Sequence, residues 1–258
     1  MFYNVKRRIR RAASAFYRLT DERESRLSTT FRGPCPCCGG TQIVQKDILW
    51  DELVDIWGLS SEEKGYINRQ QGLRCESCGA RLRSMALAAW LCGYYKTELP
   101  LSELFDLPNA CDSDVLEINE AGQLTQFLSK LPKHTLGCYP DVDIMNLPYA
   151  NESFDLVVHS DTLEHVMDPV GALKECKRVL KMDGRCIFTV PVVVNRLTRS
   201  TARGLPSYHG HSGTRAEDFK VRTEFGADAW GIVIDSGFSE CGIFSLEYPS
   251  ALVFICKK

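Results

Sequence analysis

This sequence of 258 residues is poor in histidine and methionine and holds no long apolar run. No stretch approaches the ~18–20 apolar residues that a helical membrane span needs, so a bundle of membrane helices is excluded. The opening stretch MFYNVKRRIRRAASAFYRLT has no apolar signal core, and the expectation is a cytoplasmic protein. There is no internal repeat and no low-complexity tract, which excludes solenoids and compositionally biased linkers. Only five histidines occur, all beyond residue 130, so any metal site in the first half must be built from other ligands. Neither charge sign dominates: the formal net charge is −2.

That near-neutral total hides an asymmetry. Residues 1–32 hold nine Lys/Arg against three Asp/Glu, so the rest of the chain is acidic. Phe2, Val5, Ile9, Ala12, Phe16 and Leu19 recur every three or four residues, with the arginines largely off that stripe. The spacing predicts a basic amphipathic helix over 1–30. It could make a peripheral contact with an anionic membrane surface or touch nucleic acid; docking its apolar stripe on the protein's own body is the simpler reading.

Residues 31–100 form the second region. Cysteine is abundant here, and of twelve in the chain, five fall in CPCCGG and CESCGA. Cys35 and Cys38, then Cys75 and Cys78, are two Cys-x-x-Cys-Gly knuckles. Two intervening residues let both thiolates face one ion, and the following glycine lets the backbone turn beneath it. Four sulfurs with no open position imply a structural rather than a catalytic zinc. Cys37 is a surplus thiol that could substitute for Cys35 or Cys38. A redox pair would occur once, in a thioredoxin-like context, and does not explain the paired glycines. RLRSMALAAWLCGYY then reads as an apolar helix joining this module to the body.

Residues 101–258 alternate strand-like and helix-like segments. VLEI, HTLGCY, FDLVVH and RCIFTVP read as strands. GQLTQFLSKL, PVGALKECKRVLK and GADAWGIVIDSGF read as helices, the second capped by Asp168, opened by Pro169 and ended by Gly184. GIFSLEYPSALVFIC reads as two strands around a turn. The fold class is α/β: a doubly wound, mostly parallel sheet with an antiparallel last strand and a small four-cysteine zinc module ahead of it.

VLEINEAG, DVDIMNLPYANESFDLVVHSDTLEHVMDP and ALKECKRVLKMDGRCIFTVP, in that order, resemble a class I S-adenosylmethionine-dependent methyltransferase of the type 11-like group. The likeness is close over residues 113–191 and loose beyond. The knuckles resemble a zinc-ribbon-like module. The resemblance implies that S-adenosyl-L-methionine is the cofactor. It places Glu117, Ile118, Asn119 and Gly122 beside the methionine part, and Asp143 and Ile144 beside the adenine. Asp141, 22 residues beyond Asn119, stands nearest the ribose role, and His159 and Ser160 would line the cleft.

The family's G-x-G-x-G turn is replaced by Asn119, Ala121 and Gln123. A ligand without phosphate makes a weaker demand on glycine than a dinucleotide does, and Asn tolerates positive φ. The turn is therefore expected to stay tight and the site to remain usable. His159, His165 and His209 are the candidate bases, since imidazole titrates near neutrality. His165 could equally serve the fold. Tyr208, His209 and His211 sit in a loop after the fifth strand, where substrate loops lie, and no third ligand close by in sequence suggests a second metal there. The leading function is methyl transfer to a small-molecule or glycan substrate. An RNA substrate is an alternative that the acidic body and the lack of interleaved aromatic and basic residues disfavour. A non-catalytic zinc-containing binding module is the third.

Overall fold

A computed structural model describes residues 31, 33–202, 207–209 and 217–258. The expected helix over 1–30 and His211 lie outside the described residues.

The two cysteine knuckles are tied by a short antiparallel pair, β1 (Ile43–Gln45) and β2 (Leu73–Cys75). Two helices fill the span between these strands: α1 (Asp51–Trp57) and α2 (Ser61–Gly72). Ser60 and Glu63 form a reciprocal capping box at the start of α2. The apolar segment predicted after the second knuckle is helix α3 (Leu82–Tyr94). It is buried on nearly every side, as a helix apolar all round must be. Its side chains join one core with Cys35 and Cys37 on one hand and Val115, Leu156, Val158 and Val253 on the other.

After the short helix α4 (Pro108–Cys111) the main sheet begins. Its elements follow as β3 (Val115–Ile118), α5 (Thr125–Leu128), β4 (His134–Gly137), β5 (Phe154–Ser160), α6 (Pro169–Val179) and β6 (Leu180–Thr189). A side sheet of β7 (Val192–Val193), β8 (Arg199–Ser200) and β9 (Thr223–Gly226) intervenes. Helix α7 (Trp230–Asp235), β10 (Glu240–Leu246) and β11 (Ala251–Lys257) complete the chain. The spatial order is β10-β11-β6-β5-β3-β4, with β3, β4, β5 and β6 parallel to one another and β11 antiparallel to both β6 and β10. The doubly wound, mostly parallel sheet with an antiparallel last strand is therefore the fold of this protein.

Strand alternation divides the core in two. Val115, Val158, Ile187 and Val253 face α3, while Leu116, Val157, Cys186 and Phe254 face α6 and α7. Asp168 caps α6 through the Gly171 N–H at 2.9 Å, with Pro169 in the first turn, as expected. Gly184 does not end that helix. Helix α6 stops at Val179, and Gly184 lies inside β6, packed so closely that an added Cβ would sit 2.9 Å from the Lys181 carbonyl oxygen. GQLTQFLSKL yields only the single turn of α5. Among the described residues no helix is long and apolar enough to cross a membrane.

Candidate functional site

The chain leaves β3 and turns back on itself through Asn119, at φ 56°, Glu120, at φ 49°, and Gly122, at φ 63°. Glu117 holds this turn. Fully buried, its carboxylate accepts hydrogen bonds from the Ala121 N–H at 2.8 Å, the Thr125 hydroxyl at 2.6 Å and His134 Nε2 at 2.8 Å. A carboxylate thus fixes a loop in which the family uses glycines. Asn119 reaches across to accept the Tyr139 N–H at 2.8 Å, tying the ends of β3 and β4 together. Gln123 turns the other way, accepting the Arg81 N–H at 3.2 Å. Neither side chain plugs the space in front of the turn.

That space is a cleft of about 440 Å³ at the carboxyl ends of β3, β4 and β5. Strand β4 lies to one side of β3 and β5 to the other, so the cleft opens at the topological switch point where α/β sheets bind ligands. Asn119, Tyr139, Asp143 and Ile144 form one wall, and Asp161, Thr162 and His165 form another. Asp143 Oδ1 accepts the Met145 N–H at 2.9 Å, which rigidifies the loop that carries Ile144.

The structure moves several assigned residues out of this cleft. His159 is completely buried in β5 and stacks on Phe188 at 4.9 Å, in a row that continues to Phe254. Burial pushes its pKa down to about 3. It therefore reaches neither cofactor nor acceptor, because strand alternation points it into the α6 face. Ser160 is buried too and pairs with the Thr189 hydroxyl at 2.8 Å. Ile118 is core, and Glu117 and Gly122 build the turn without lining the cleft. Asp141 is exposed and outside the lining. Tyr139 stands at the cleft edge instead, a position that looking for an acid at the end of the second strand does not find.

A second pocket of about 320 Å³ adjoins the first. Helices α1 and α2 give it apolar walls, including Leu53, Trp57 and Ile67. Its polar groups are Gln71, Arg81, Arg83, Asp161, His165 and His209. Asp161, His165 and Phe219 line both pockets. Asp161, at φ 47°, directs its carboxylate to Arg83 and to Gln71 Nε2, the latter at 2.9 Å. Burial opposes its ionisation, yet the Arg83 guanidinium holds its pKa below the usual carboxylate range. His165 donates through Nδ1 to the Lys220 carbonyl at 3.0 Å, leaving Nε2 with its lone pair. Burial lowers its pKa, so the ring is neutral near pH 7. Burial and the neighbouring His165 press His209 down to about 3. The residues between the knuckles drew no functional reading from the sequence; the signal available there was the Ser60–Glu63 capping box followed by a helical stretch.

In the four-cysteine cluster, Cys35 Sγ lies 3.8 Å from Cys78 Sγ, and Cys38 Sγ lies 3.7 Å from Cys75 Sγ. Four sulfurs about 2.3 Å from a tetrahedral ion stand ~3.8 Å apart, so these thiols fit a single metal. Gly39 and Gly79 take φ 76° and 75° beneath their knuckles, the conformation for which glycine was expected. Cys37 Sγ points to the Ser84 carbonyl at 3.7 Å and is not one of the four, although its thiol borders those of Cys35 and Cys78.

The family model described as "Methyltransferase domain" matches residues 106–188. The match spans the strands and turns that build the first cleft. This segment is similar to a methyltransferase domain. A probable S-adenosylmethionine-dependent methyltransferase of Mycobacterium tuberculosis is 32% identical over 119 residues, which is 43% of this chain and 39% of that protein. A demethylmenaquinone methyltransferase of Paenarthrobacter aurescens is 39% identical over 79 residues, 26% of this chain and 31% of the relative. The chain thus spans well under half the length of these curated relatives. Among solved structures, a possible histamine N-methyltransferase of Thermotoga maritima superposes with a TM-score of 0.37 at 19% identity, over 61% of this chain and 88% of that one. The methyltransferase domain's strand order and its cleft at the switch point come from the structure itself.

Proposed function

We propose that this protein transfers the methyl group of S-adenosylmethionine to a small molecule held between the methyltransferase domain and the helices inserted in the cysteine module. One observation carries the reading: two pockets meet at a shared wall of Asp161, His165 and Phe219. An in-line transfer needs donor and acceptor on opposite sides of one gap. The cofactor supplies the activated methyl group when bound. Asn119, Tyr139, Asp143 and Ile144 are the residues placed to hold it.

On the acceptor side, the apolar surfaces of Leu53, Trp57 and Ile67 remove an apolar skeleton from water, and Arg83 and Gln71 fix its polar end. His165, on the wall the two pockets share and with its Nε2 lone pair turned inward, is the group that assists loss of the proton from an oxygen or nitrogen nucleophile. A pocket of about 320 Å³ suits a metabolite, a monosaccharide included, better than a polymer. A structural zinc ion in the Cys35, Cys38, Cys75 and Cys78 cluster would hold the knuckles, and through them α1 and α2, in place.

Titration calorimetry with S-adenosylmethionine and S-adenosylhomocysteine tests the reading. Saturable heat is expected from the wild type, with affinity reduced at least ~10-fold by Ile144→Asp, which sets a charge against the adenine. A wild type that gives no saturable heat with either ligand would overturn it.

A further inference from the structure

Glu164 is 1% exposed, yet neither carboxyl oxygen has a hydrogen-bond partner among the described residues. A buried carboxyl in that condition is costly unless it is paired or bound to a metal. Two imidazoles face it. His209 Nδ1 lies 3.6 Å from Glu164 Oε1, His165 Nε2 lies 3.8 Å from the same oxygen, and the two nitrogens are 3.1 Å apart. A triangle with these edges has its centre about 2.0 Å from each corner, the length of zinc bonds to imidazole nitrogen and carboxylate oxygen.

The surroundings are those of a prepared ligand set. The His165 Nδ1–H donates to a backbone carbonyl, which turns its Nε2 lone pair inward, the arrangement that orients metal-binding histidines. The Glu164 carbonyl accepts from the N–H groups of Arg222 and Thr223, and the His209 N–H donates to the Phe219 carbonyl. The three ligands thus come from two segments that each hydrogen-bond to the backbone of residues 219–223. The sequence offered no third ligand near His209; the fold brings two from 44 and 45 residues upstream.

We infer that Glu164, His165 and His209 bind a divalent ion of the zinc class, distinct from the four-cysteine cluster. Two histidines and one glutamate leave the fourth position open. His165 and His209 both line the acceptor pocket, so an acceptor hydroxyl entering it would occupy that position and release its proton to solvent water more readily, the two imidazole lone pairs being held by the ion. This last role rests on the proposed methyl transfer; the metal site itself rests on the side-chain geometry.

The test uses the full chain produced in cobalt-supplemented medium, with metal content measured by plasma mass spectrometry. About two cobalt ions per chain are expected for the wild type, and about one for Glu164→Gln and for His209→Ala, with the thiolate-to-cobalt absorption unchanged. Equal metal content in wild type and in both variants would overturn the inference. Should the variants fail to fold, the wild type decides alone. Its cobalt form should show a hyperfine-shifted, exchangeable imidazole proton from His165, which a four-thiolate site cannot give, and absence of that resonance counts against the site. Calorimetry with the cofactor is read separately: metal binding without cofactor heat would retain the site and refute only the transfer reaction.

Discussion

Glu117 does for this protein what glycines do in the methyltransferases it resembles, and replacing it measures how much that matters. In the wild type one buried carboxylate satisfies three donors, from the turn, from α5 and from β4. Glu117→Ala leaves the Ala121 N–H, the Thr125 hydroxyl and the His134 ring without their acceptor, in a place water does not reach. A hydrogen bond to a charged group contributes ~1.5–3 kcal/mol, and an orphaned buried donor costs ~1–3 kcal/mol. Part of this is offset because the carboxylate no longer has to be desolvated. The expected net loss is about 3–5 kcal/mol in urea denaturation, accompanied by weaker cofactor binding as Asn119 loses its fixed φ. Glu117→Gln keeps an oxygen for Ala121 and Thr125 and presents an N–H to the His134 ring, whose Nε2 can accept it in the other tautomer. Its cost should be nearer ~1 kcal/mol. If the alanine variant unfolds within ~1 kcal/mol of the wild type, below the contribution of even one such bond, the carboxylate does not hold the turn and the reasoning fails.

Glu63, accepting from Arg196 at 2.7 Å and 2.9 Å, clamps α2 to the loop after β7. The arginine depresses its pKa to about 2, so its contribution is complete above the ordinary value near ~4.5 and is lost as pH falls toward 2. That contribution is about 3 kcal/mol at neutral pH, and acid unfolding of Arg196→Gln should lack this component. Gly122→Val places a branched side chain at φ 63° and against Ser84 Oγ, which an added Cβ would approach to 2.4 Å. A melting experiment should show a loss of about 2 kcal/mol or more. Cys75→Ala should remove the metal from the four-cysteine cluster and lower the melting temperature by ~10 °C, read by calorimetry beside elemental analysis. A variant with unchanged metal content would show that the cluster is not a site.

Much of the sheet was legible because buried strands and amphipathic helices leave periodic traces. VLEI, FDLVVH and RCIFTVP are strands, Asp168 caps α6, and the two terminal strands pair antiparallel. Gly184 was misread because a glycine close behind a helical pattern looks like a stop, whereas here close backbone packing inside β6 requires it. His159 was misread for a related reason. Its place at a strand end is visible in sequence, but the face it points to depends on register with Phe188 and Ile118.

The sequence by itself determined the order of most elements, the paired knuckles with their positive-φ glycines, and the acid and turn that follow β3, since spacing of a few residues sets local geometry. Only the tertiary structure decided what meets across distance. It placed α1 and α2 over the carboxyl edge of the sheet, joined Arg83 to Asp161, and gathered Glu164, His165 and His209 within bonding reach of one point. Those contacts link residues tens of positions apart: α3, packed on the sheet, carries Arg83 to Asp161, and the backbone of residues 219–223 bonds to both the Glu164 and the His209 segments, pairings that no local pattern encodes.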